Sequence, residues 1–153
     1  ESVLEDSLAI STDDKEVMWW FDSRKIALIN RPEWISRDRT PHLPVVIHAL
    51  EEVLDNGFSP DAVMILQPTS PFRTAKHINE AIKSFEDCRL DSLVSVNPAG
   101  KRNGAIYLFR TELVFSKEPA FFSRSGGMNY EMDERSSINI DTMDDWVRAE
   151  RSL

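Results

Sequence analysis

The chain has 153 residues, of which 41% are hydrophobic and 29% charged, and carries a formal net charge of −8. That length suits a single domain spanning 1–153, and no apolar run is long enough for a membrane-spanning helix. The acidic balance argues against a broad nucleic-acid surface, which needs clustered Lys and Arg, and the lone Cys88 excludes an intrachain disulfide and suits the cytoplasm.

Ser7 to Ile10 is a short apolar stretch, after which Thr12 or Asp13 is placed to cap a helix running to about Ser23, with Val17, Trp20 and Phe21 inward. Ala27 to Ile29 is a second apolar stretch, followed by a polar loop from Asn30 to Arg39. Leu43, Val46, Ile47, Leu50, Val53 and Leu54 recur at three- and four-residue steps, which predicts a helix from Pro41 that stops near Asn56-Gly57. Ala62 to Leu66 is an unbroken apolar run of the kind buried in a parallel sheet. The loop Gln67-Pro68-Thr69-Ser70-Pro71-Phe72 follows, and Thr74 is placed to cap a helix with Ala75, Ile78, Ile82 and Phe85 on one face. Leu93 to Val96 and Ala105 to Phe109 read as strands, and Thr111 to Phe115 as a short helix or turn. Phe121-Phe122 falls in a loop, Ser137 to Ile140 reads as a last strand, and Thr142 caps a closing helix. Strand, helix and strand in alternation is the pattern of an α/β fold with a mostly parallel, Rossmann-like sheet flanked by helices.

In open α/β sheets ligands collect beyond the carboxyl ends of the strands. Three polar clusters fall there: Arg31 with Asp38 and Thr40, Gln67 through Arg73, and Asn139-Ile140-Asp141. In a strand, period-two alternation puts Asn139 and Asp141 on one side, where they can hold Mg²⁺ through oxygen atoms; Asp141 equally suits a cap for the final helix beside Thr142. The Gln67 to Pro71 loop is a binding loop or a structural turn. Arg73 suits an anion ligand or a solvated residue. Asn103, Tyr107, Phe121 and Phe122 line a sugar pocket or fill the core. His42, His48 and His77 lack metal-ligand spacing, and no Gly-rich phosphate loop is present.

Taken in order, five of these segments resemble the acylneuraminate cytidylyltransferases, the CMP-sialic acid synthetases, and their relatives acting on legionaminic and pseudaminic acids. The segments are Ile10-Ser11-Thr12-Asp13-Asp14; Arg31-Pro32 with Asp38, Arg39 and Thr40 leading into Val46-Ile47-His48-Ala49-Leu50-Glu51; Leu66 to Arg73; Asn103-Gly104-Ala105-Ile106-Tyr107; and Ser137 to Thr142. Together they span nearly the whole chain. The resemblance implies a fold of the nucleotide-diphospho-sugar transferase type and transfer of CMP from CTP to a nonulosonic acid such as N-acetylneuraminate or legionaminate. It implies Mg²⁺ at Asp141 with Asn139 beside it, and nucleotide or substrate contacts from Arg31, Thr40, Gln67, Arg73, Asn103, Tyr107, Phe121 and Phe122. A homodimer is also implied.

Three departures accompany the resemblance. The family's phosphate-cradling loop is expected ahead of Glu1. Several dozen residues, including a catalytic arginine, are expected between Asn97-Pro98 and Asn103, where only Ala99 to Arg102 stand. Asn139 occupies a position that is usually acidic. The gaps fit a sequence that joins the ordered parts of a longer chain, or a non-catalytic relative that binds a sugar nucleotide. The first is favoured because the packed core is kept.

Overall fold

The computed structural model describes residues 8–22, 26–116 and 127–153. It divides into two compact units, Glu1–Pro60 and Asp61–Leu153.

The first unit pairs β1 (Ala9–Thr12) with β2 (Ala27–Asn30) in parallel, joined through α1 (Lys15–Phe21). The cap of α1 is Asp14 and neither Thr12 nor Asp13: its Oδ1 accepts from the amides of Glu16 at 2.8 Å and Val17 at 3.3 Å. Trp20 faces solvent, in edge-to-face contact with the exposed Trp19, and not the interior. A 3-10 turn at Glu33–Ile35 precedes α2 (His42–Asp55), which buries Val46 and Leu50. The helix stops as Asn56-Gly57 predicts. Gly57 takes φ +83° and donates to Leu54 O at 2.9 Å while Phe58 N reaches Val53 O at 3.2 Å, the paired bonds that satisfy terminal carbonyls.

The second unit holds a four-stranded sheet. Its strands are β3 (Ala62–Ile65), β4 (Ser92–Val96), β5 (Arg102–Arg110) and β6 (Gly127–Glu131), in the order β3-β5-β4-β6. β5 runs antiparallel to both neighbours, and β4 and β6 are parallel, so β3, β4 and β6 share one direction. α3 (Ala75–Asp87) packs on β4 and β5. Its buried residues Ala81 and Phe85 join Leu93, Ala105, Ile106, Leu108 and Met132 in one core, where a fully buried Phe or Leu stabilises by about 2–3 kcal/mol. At the helix start His77 Nδ1 accepts from Thr74 N at 3.1 Å. The short α4 (Thr111–Val114) follows β5, and α5 (Met143–Glu150) closes the unit.

One expectation fails here. Ser137 to Ile140 is no strand: Asp133 Oδ1 accepts from Ser136 N at 2.9 Å, Ser137 N turns back to Asp133 O, and the one sheet-like bond is Ile140 N to Thr69 O at 2.9 Å. The last strand is β6, where Met128 and Tyr130 alternate with exposed residues. Between β4 and β5 stands a tight turn. Asn97 Oδ1 accepts from Lys101 N at 2.9 Å, and Asn97 N donates to Lys101 O at 2.8 Å. No helix among the described residues is long and apolar enough to cross a membrane.

Candidate functional site

The β4–β5 pairing contains a large bulge. Val94 pairs with Tyr107, yet Val96 pairs with Arg102, so residues 103–106 face Ser95 alone. A bulge leaves ladder groups unpaired, and buried ones must find other partners. Side chains supply them. Ser95 Oγ accepts from Ile106 N at 2.7 Å and donates to Asn103 Oδ1 at 2.5 Å. Asn103 Oδ1 also accepts from Ala105 N at 3.2 Å. Arg73 Nη1 donates to Ala105 O at 2.8 Å and to Gln67 O at 2.9 Å.

These bonds correct two expected roles. Asn103 is buried, with Nδ2 donating to Ser137 Oγ at 3.0 Å, and its amide is saturated inside the protein and not turned to a sugar. Arg73 spends Nη1 on two main-chain carbonyls and ties the loop after β3 to the bulge; its half-buried setting lowers the pKa of its guanidinium.

Within the bulge the buried Gly104 takes φ +78°. Over its Cα lie Gln67 and Asn139. A Cβ at position 104 would stand 2.6 Å from Gln67 Oε1 and 3.6 Å from Asn139 Oδ1. Asn139 Nδ2 donates to Asp141 Oδ2 at 2.6 Å, a charge-assisted bond. Gln67 thus meets Asn139 and its partner Asp141, more than seventy residues on in sequence, beside Gly104 of β5.

Capping does not occupy Asp141. Thr142 caps α5, with Asp145 N donating to Thr142 Oγ1 at 3.2 Å, and Asp145 Oδ2 accepting from Thr142 N at 2.9 Å and from Thr142 Oγ1 at 2.7 Å. The hydrogen bond from the Thr142 side chain holds the Asp145 carboxyl below its ordinary range. Asp141 itself is exposed. Tyr107 lies within electrostatic reach of it: burial pushes the phenol pKa up, Arg102 opposes, and the Asp141 charge adds to the rise.

Two buried oxygens on the loops that meet at Thr69 and Ile140, Ser70 Oγ and Asn139 Oδ1, have no protein hydrogen-bond partner. Among the described residues no three His, Cys, Asp or Glu side chains gather to hold a metal. The donors therefore do not fit a cation held by protein alone. In the observed orientation Asn139 presents Nδ2 to Asp141 and acts as its tether.

In the first unit, Thr40 lines an open surface depression of about 290 Å³ with Trp34, Ile35, Arg37, Arg39, Pro41 and Pro44. Arg31 is folded back onto β1: Nε donates to Ser11 Oγ at 3.3 Å and Nη2 to Ser11 O. Phe121 and Phe122 lie outside the described residues.

Sequence reasoning missed Gly104, Ser95, Arg37 and Arg39 as parts of these sites. A glycine inside a strand pattern was the signal for the first, because it marks a bulge or a close approach. The arginine pair flanking Asp38 was the signal for the depression.

No protein-family model matches the chain. It is a distant relative of curated proteins named N-acylneuraminate cytidylyltransferase. It is 25% identical to that of Escherichia coli O18:K1:H7 over 97% of this chain and 42% of the relative, and 23% identical to that of Streptococcus agalactiae serotype III over 92% and 41%. The resemblance read from the sequence holds at this distance. The chain spans about two fifths of the length of these relatives. The E. coli alignment runs over 183 positions against 153 residues here, so that relative carries about 30 or more residues where this chain has none. Among solved structures, the molybdopterin-guanine dinucleotide biosynthesis protein A of Archaeoglobus fulgidus superposes with a TM-score of 0.62 at 15% identity, covering 94% of this chain and 76% of that one. The chain therefore shares the α/β fold of that structure.

Proposed function

We propose that this chain carries the second-substrate face of a cytidylyltransferase that moves CMP from CTP to a nonulosonic, sialic-type acid such as N-acetylneuraminate or legionaminate. The observation that supports this most is the meeting of Gln67, Asn139 and Asp141 over Gly104, from two of the segments that carry the sequence resemblance. In that reaction the anomeric hydroxyl oxygen of the acid attacks the α-phosphorus. The bond from that phosphorus to the oxygen bridging to the β-phosphate breaks, pyrophosphate leaves, and the hydroxyl proton is released.

Asp141 would hold Mg²⁺ arriving with the nucleotide, and the cation would supply charge neutralisation at the phosphates. Asn139 fixes the carboxylate, which removes the cost of orienting it during reaction. Gln67 offers an amide for the hydroxyls or carboxylate of the acid, and Tyr107 flanks it. Thr40 would contact the nucleotide, with Arg37 and Arg39 beside it. Dimer formation and a cytoplasmic location belong to the same proposal.

A second reading follows from Asn139. With one carboxylate in place of two, the face would bind a sugar nucleotide without turning it over. Incubation of the full natural protein with CTP, Mg²⁺ and a panel of nonulosonic acids separates the two. Pyrophosphate and a CMP-sugar appearing with at least one acid supports catalysis. Ligand-induced thermal stabilisation without pyrophosphate supports the binding module and overturns the transferase.

A further inference from the structure

We propose that Gly104 is a positioning residue: it sets where the Gln67 carboxamide stands relative to the Asn139–Asp141 pair, and so governs recognition of the acid substrate. The inference rests on the reaction proposed above for its functional consequence, but not for its geometry.

Three glycines among the described residues take positive φ: Gly57 at +83°, Gly100 at +74° and Gly104 at +78°. A side chain at any of them is strained by the positive φ. Only their surroundings differ. A Cβ at Gly57 or Gly100 meets nothing within 4 Å, whereas at Gly104 it meets Gln67 Oε1 at 2.6 Å. Real Cβ atoms do not approach so closely, so something must move. The obstructing atom is the far end of a side chain with three torsions, while Asn139, at 3.6 Å, is in ordinary contact. Gln67 therefore yields, and the backbone does not. The main chain of Gln67 stays held, because its carbonyl accepts from Arg73 Nη1 and from Ser70 N. What a methyl group at 104 displaces is the carboxamide alone. A displacement of an ångström in a substrate-orienting group is enough to cost on the order of a hundred-fold in rate.

The experiment compares Gly104→Ala with Gly57→Ala and Gly100→Ala in the full natural protein, each with and without Gln67→Ala. The Gln67 side-chain amide resonances, the melting temperature, and KM and kcat for the acid are recorded. The expected result is a similar loss of melting temperature for all three glycine variants. Only Gly104→Ala moves the Gln67 amide resonances and raises KM for the acid, by roughly ten-fold, with kcat changed less. In the Gln67→Ala background the extra effect of Gly104→Ala on KM falls below about two-fold.

Unmoved Gln67 resonances in Gly104→Ala overturn the proposal. A melting loss far beyond that of Gly100→Ala does so too, because the backbone would then be what yields. An effect on KM that persists without Gln67 likewise overturns it. If the parent protein turns over no acid, the transferase reading falls, and the positioning claim is decided by the Gln67 resonances alone.

Discussion

The side-chain amide of Asn139 donates to Asp141 Oδ2 at 2.6 Å, and this one bond defines both residues. It occupies the carboxylate on one side and leaves Asn139 Oδ1 buried without a protein partner. Asp141 is thereby oriented, exposed and free of capping duty, since Thr142 and Asp145 carry the cap of α5.

Replacing Asp141 by Asn should therefore separate function from folding. Stability should change by less than about 0.5 kcal/mol, as at ordinary surface positions. Pyrophosphate release should fall by roughly 10² to 10³-fold, the scale of losing one preorganised electrostatic group. Melting curves and turnover on the same sample check both, and a destabilisation with turnover intact would return Asp141 to a structural role.

Asn139→Asp should make stability depend on divalent cation. Two carboxylate oxygens at this separation repel unless a cation or a proton lies between them. In chelator the variant should melt below the parent, and millimolar Mg²⁺ should recover the difference. Equal melting with and without Mg²⁺ would show that no cation reaches the pair.

Asn103→Ala should be much costlier than Gln67→Ala. It removes partners from Ser95 Oγ, Ala105 N and Ser137 Oγ inside the sheet, for an expected loss of about 2–4 kcal/mol in chemical denaturation. Gln67→Ala, on the binding face, should cost about 1 kcal/mol or less. The reverse order would mean that the bulge does not depend on its side-chain bonds.

The parts that were legible in the sequence are those decided locally. Asn56-Gly57, Thr74 and Thr142 mark helix ends through bonds to residues within a few positions, and all three stand where expected. The parts that were not legible depend on distant partners. Arg73 reads as a free cation until Ala105 O, 32 residues on, is seen to receive it. Asn103 reads as a pocket residue because Ser95 becomes its partner only through the bulge. Ser137 to Ile140 alternates like a strand but has no ladder to join. β6 does, although it begins with Gly127 and shows only Met128 and Tyr130 as apolar signal.

The contact between β6 and α3 makes a pH prediction. Tyr130 Oη donates to Glu80 Oε2 at 2.6 Å. That bond, with smaller help from Lys76, holds the Glu80 carboxyl below its ordinary 4.5, while burial first and Glu80 second push the Tyr130 phenol above its ordinary 10. A depressed carboxyl contributes stability above 4.5 that is lost as pH falls through the folded-state value. A raised phenol contributes stability below 10 that is lost as pH rises through its folded-state value. The stability difference between the parent and Tyr130→Phe should thus be flat between those limits and shrink outside them. Urea titrations across pH check this, and a difference that varies through neutrality would exclude the pair as its source.

The most direct test of the shared face is paramagnetic broadening by Mn²⁺ added with CTP to isotope-labelled protein. If Gln67, Gly104, Asn139 and Asp141 surround one cation–nucleotide site, the Gln67 and Asn139 side-chain amides and the Gly104 main-chain amide should broaden first and together, and Asp141→Asn should abolish the effect. Those signals staying sharp while resonances elsewhere disappear would contradict it.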